Sequence, residues 1–93
     1  MAIIDEVVFG KIVSILGELG YYPDSYDVND AGMHRLYSVR ITVRDDEEIS
    51  EDRIRAFLNV YNAVGIVKPQ LYGIEDYPAE LRNFSHLYLT FYI

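Results

Sequence analysis

His34 and His86 are the two side chains here whose ordinary titration falls near neutral pH, and each opens a run of alternating residues. "HRLYSVRITVR" (34–44) puts Ser38, Arg40, Thr42 and Arg44 on one side of a strand and Tyr37, Val39, Ile41 and Val43 on the other. "SHLYLTFYI" (85–93) repeats the pattern, with His86, Tyr88, Thr90 and Tyr92 opposite Leu87, Leu89, Phe91 and Ile93. Proton handling by His86 or Tyr88, with Arg40 holding a carboxylate or phosphate, is chemistry such a set could perform. His34 near Asp30 and His86 near Glu80 are further acid–base pairings by proximity in the chain. A metal ion shared by the two histidines is excluded: each starts a strand, so in an antiparallel pair they stand about 20–25 Å apart at ~3.3 Å per residue.

Other sites fail on their own requirements. "DVNDAG" (27–32) sets Asp27, Asn29 and Gly32 at positions one, three and six of a calcium loop, but Ala31 and Ser38 stand where two further oxygen ligands are needed. It reads as a hairpin turn. With no cysteine there is neither a disulfide framework nor a thiolate metal site. Phosphate-loop, zinc-protease and nucleophile-elbow patterns are missing, and no catalytic set, metal or cofactor is expected.

The elements that would position these residues follow from periodicity. Apolar residues at 3, 4, 7, 8, 12, 15, 16 and 19 predict an amphipathic helix closed by Gly20, with its acids in the first turn. "YYPDSYDV" predicts a strand weakened by Pro23, and "NDAG" the turn into the strand starting at His34. Ser50 offers an N-cap with Ile49 and Ile54 in the staple positions, so a second helix begins at Glu51. Ile54, Phe57, Leu58, Tyr61 and Val64 form its buried stripe, and Gly65 its C-cap. "IVKPQLYGI" reads as a second proline-bearing strand, "EDYPAELRN" as a connection with a short helical turn, and 85–93 as the last strand.

The two halves share one order: helix, glycine, proline-bearing strand, polar connection, then a strand opened by His and Tyr. Gly20, Pro23, His34 and Tyr37 match Gly65, Pro69, His86 and Tyr88. Two αββ halves predict a single α+β domain over 1–93: a four-stranded antiparallel sheet with two helices on one face. The topology resembles a permuted ferredoxin-like fold. The proline-bearing strands take the edges and the strands from His34 and His86 the centre. Ser38, Arg40, Thr42, Arg44, His86, Tyr88, Thr90 and Tyr92 then share an uncovered face, joined by Tyr22 and Tyr26 if the first edge strand contributes.

Net charge is −7, which opposes direct binding to nucleic acid. Six of the fifteen acids, Asp45, Asp46, Glu47, Glu48, Glu51 and Asp52, lie in "DDEEISED". With nine tyrosines, and with arginine outnumbering lysine, the composition fits a protein interface better than a catalytic cleft. The expectation is a non-enzymatic, cytoplasmic, non-membrane interaction module. It would be a homodimer using its tyrosine–arginine sheet face or edge. One alternative is an acidic inhibitor or nucleic-acid mimic, of the kind viruses and phages make, that blocks a partner's basic groove. Another is a small enzyme or ligand-binding domain with its pocket at a dimer interface.

Overall fold

In the computed structural model, which describes residues 3–93, the helices are set by their ends. α1 (Ile3–Glu18) stops where Gly20 takes φ 85°, so that Tyr21 N–H reaches the Leu16 carbonyl at 2.9 Å and Gly20 N–H the Gly17 carbonyl at 3.0 Å. This double closure suits a glycine because a Cβ is penalised in the left-handed region. α2 (Glu51–Asn62) begins at Ser50, whose Oγ accepts from the Arg53 N–H at 3.2 Å. Ile49 and Ile54 pack on either side of that cap. The helix ends earlier than glycine placement predicts: Ala63 is the C-cap, and Gly65, at φ 88°, turns the chain two residues later.

The strands are β1 (Ser25–Ala31), β2 (His34–Arg44), β3 (Gln70–Pro78) and β4 (Phe84–Tyr92). They form one antiparallel sheet in the order β1-β2-β4-β3, with both helices on one face. β4 is therefore central, as its two-sided pattern requires. β1 runs further than expected, down to a two-residue loop in which Gly32 takes φ 69°. Pro23 and Pro69 precede the edge strands instead of sitting within them, which keeps their missing N–H groups out of the ladders. β3 extends through Pro78, so strand replaces the short helical turn expected after Ile74. The matching of halves breaks at one pair, since Tyr37 points to the helices and Tyr88 away from them.

Tyr37, Val39, Ile41 and Val43 of β2 and Leu87, Leu89 and Phe91 of β4 meet Val8, Ile12, Ile15 and Leu16 of α1 and Ile54 and Leu58 of α2. Five predicted core positions are corrected. Ile93 lies past the end of β4 and is exposed, as is Val64 past the end of α2. On α1, Ile3, Ile4 and Val7 face outward, while Asp5 and Phe9 turn in. The helix carries apolar residues around most of its circumference, so its periodicity alone could not select the buried stripe.

Asp5 made that selection. It is 1% exposed, and its carboxylate takes a two-pronged bond from Arg35, Nε at 2.9 Å and Nη2 at 2.8 Å, together with the Tyr37 hydroxyl at 2.8 Å. Arg35 reaches on to Asp30 at 2.8 Å. A buried carboxylate is tolerated only when it is paired and hydrogen-bonded, so this cluster sets the rotation of α1 over β2. Asp5→Ala should destabilise the fold by about 3 kcal/mol in urea titrations, because it leaves the buried Tyr37 hydroxyl unpaired and removes the two-pronged partner of Arg35. Asp30→Ala, at an exposed pair, should cost little. Burial, and then the Asp5 carboxylate, hold the Tyr37 hydroxyl above its ordinary value of 10.0. The resulting stability is complete below that value and lost as pH rises past it, so Tyr37→Phe should flatten the alkaline fall in stability.

Candidate functional site

The sheet face away from the helices is built on the register between β2 and β4. Ser38 lies opposite Thr90, Arg40 opposite Tyr88 and Thr42 opposite His86. Residues paired across an antiparallel ladder point to the same side, so all eight residues predicted on the two central strands share this face. Arg44 sits at its end, opposite Phe84, and contacts Asp46 at 3.3 Å. The histidines are kept apart as expected. His86 pairs with Thr42, whereas His34 lies against the Tyr92 ring, centroids 5.0 Å apart, at the other end of the sheet.

Tyr22 and Tyr26 do not join them. Tyr22 precedes β1 and is exposed in the connection from α1. Tyr26 pairs with Val39, so it points to the helix side, where its ring meets Phe9 edge-on at 5.4 Å. β1 starts four residues later than "YYPDSYDV" suggests, and the two-residue loop that sets Ala31 opposite His34 fixes the side Tyr26 takes.

β3 supplies what the sequence reading missed. Its register with β4 skips Tyr72, which bulges between Leu71 and Gly73. The bulge inverts the alternation, so Glu75 and Tyr77 face outward beside Tyr88 and His86. Two aromatic groups result. Tyr77 and Tyr88 meet edge-to-face at 5.5 Å, and Tyr72 and Tyr92 at 6.4 Å. Between them the Ser38 and Thr90 hydroxyls pair at 3.1 Å. Leu36 adds apolar surface at the Tyr92 end.

Polar groups on the face are tied to one another. Arg40 Nε donates to Asp24 Oδ1 at 2.7 Å, and Tyr88 lies directly across the ladder from it. These partners raise Arg40 further above its already high value. Thr42 donates to Asp24 Oδ2 at 3.1 Å and lies 3.1 Å from His86 Nδ1. Tyr77 donates to Glu75 Oε2 at 2.6 Å, and that bond, followed by the carboxylate's charge, raises the Tyr77 hydroxyl. Asp24 was invisible from the sequence because it stands in the loop before β1. Its signal is the "PD" step, where a short acid can reach the adjacent strand.

Between β3 and β4 lies an open depression of about 570 Å³, lined by Glu75, Tyr77, His86 and Tyr88 with the Ser38–Thr90 pair. The acidic stretch is elsewhere, in the turn and loop after β2 and the first turn of α2. Four of its six acids have local partners: Asp45 accepts from Ser85, Asp46 from Arg44, Glu47 from the Arg44 N–H and Glu51 from Arg55. Glu48 and Asp52 have none among the described residues. No helix is long and apolar enough to cross a membrane among the described residues. No known protein family, curated protein or solved structure matches the chain.

Desolvation alone would raise Asp24, but the bonds from Arg40 and Thr42 outweigh it and hold the carboxyl below its usual 3.8. A depressed acid stabilises the fold above its unfolded value and loses that contribution as pH falls through the folded one. In acid titrations followed by circular dichroism, Asp24→Asn should therefore lose less stability than wild type below that pH.

Proposed function

We propose that this protein is a non-enzymatic interaction module that pairs with a second copy of itself through the open sheet face. The observation that carries the reading is that β2 and β4 present a broad tyrosine and hydroxyl surface whose two arginines are met by acids, Arg40 by Asp24 and Arg44 by Asp46. In an isologous contact a patch meets its own image, so unmatched charge would repel itself. The carboxylates on this side that no cation meets among the described residues, Asp27 of β1 and Glu75 of β3, stand on the edge strands flanking that surface. The densest run of acids, Asp45, Asp46, Glu47 and Glu48, lies off this surface in the loop after β2. Tyrosine and arginine are also the side chains that anchor interfaces most often.

The sheet edges are poor alternatives. β1 carries Asp27 and Asp30 along its length, and β3 has a bulge, Glu75, Asp76 and a closing Pro78. Charges, bulges and prolines are the features that blunt an edge against further pairing.

Sedimentation should find a dimer in the wild-type protein and monomers in Tyr88→Glu and Tyr92→Glu, with folding unchanged by circular dichroism. Tyr92→Ala should weaken association by about 1–2 kcal/mol. Added salt should change the dimer little, since exposed charges contribute little to it. Glu48→Gln combined with Asp52→Asn should leave it intact. A wild-type monomer at the highest soluble concentration defeats the reading. A contact abolished by salt, or by the acidic-loop variant, would transfer the function to the loop and to a basic partner.

A further inference from the structure

We propose that the depression between β3 and β4 is a binding site for an organic cation, an alkylammonium or guanidinium group. Its lining holds a carboxylate and two tyrosine rings and no Lys or Arg. The Tyr77 hydroxyl fixes Glu75 through Oε2, leaving Oε1 without a partner among the described residues. A hydrogen-bond relay orients the histidine. Thr42 directs its hydrogen to Asp24, so its oxygen accepts from His86 Nδ1–H, and Nε2 is left with its lone pair.

The groups left to a ligand are thus mostly acceptors, set beside aromatic rings. That combination favours a donor-rich cation and opposes an anion, which would meet Glu75 directly. Tyr77 of this edge-to-face pair is half exposed, so aromatic surface stays open to a ligand. Such surface selects organic cations, which bring hydrophobic stems, over simple hydrated metal ions. Asp24 keeps Arg40 on the far side of Tyr88 from filling the site. The chain's net charge of −7 raises the local concentration of any cation.

The site does not depend on self-association, although it shares the face, so titrations at about pH 8, where free imidazole is neutral, use both wild type and Tyr92→Glu. The second protein exposes the face if a second copy covers it. The probes are spermidine and N-acetyl-arginine amide, with N-acetyl-citrulline amide as the uncharged control. Saturable shifts of the Tyr77 and Tyr88 ring resonances are expected with either cation and not with citrulline. Tighter binding of spermidine points to a free polyamine, and of the arginine derivative to a protein side chain. Glu75→Gln should weaken binding on the order of tenfold, while Glu48→Gln, with the same loss of charge, should leave it unchanged. The proposal is overturned by an absence of saturation in both proteins, by equal binding of citrulline, or by Glu48→Gln weakening binding as much as Glu75→Gln. None of these results bears on the dimer, whose own test is association of the wild-type protein.

Discussion

The pairing of β2 with β4 is the constraint on which the rest of the molecule depends. It joins residues far apart in the chain, Leu36 with Tyr92 at one end and Arg44 with Phe84 at the other. Because side chains alternate with period two, this single register sends Tyr37, Val39, Ile41, Leu87, Leu89 and Phe91 to the helices together. By the same step it gathers Ser38, Arg40, Thr42, His86, Tyr88 and Thr90 on the other side. A slip of one residue would bury the tyrosine–arginine set and expose the core, so the fold and the open face are specified by the same ladder.

Two polar clusters then complete opposite sides of the sheet. On the helix side, Arg35 and Tyr37 anchor the start of α1 through charge-assisted bonds to the buried Asp5 carboxylate. On the open side, Asp24, Arg40, Thr42 and His86 form a more exposed relay. The first is costly to break because its carboxylate has no access to water, whereas the second can exchange its bonds with solvent. Structural importance thus falls to the buried set, and the solvated set remains available for contacts with other molecules.

Much of the architecture was legible in the chain. Ser50 with its flanking isoleucines marks the start of α2, Gly20 marks the end of α1, and the strict alternation of 34–44 and 85–93 assigns both faces of the central strands. Each of these signals is local. What failed to show was mostly non-local: Asp5 is buried because Arg35 and Tyr37 lie across from it, and apolar periodicity ranks any aspartate as exposed. Tyr26 turns to the helices because the two-residue loop pairs Ala31 with His34, a register that the "NDAG" turn signal does not specify. Glu75 and Tyr77 were missed because the bulge at Tyr72 breaks the period by which a face is read.

Sequence alone determined the α+β class, the central position of the last strand and the identities of the eight residues on the central part of its open face, since alternation and caps depend only on neighbours along the chain. Tertiary structure alone decided how α1 is rotated, which edge residues reach the open face and which acids meet its arginines. Those outcomes rest on bonds between strands and helices distant in sequence, where one buried carboxylate or one extra residue in a ladder outweighs the local pattern.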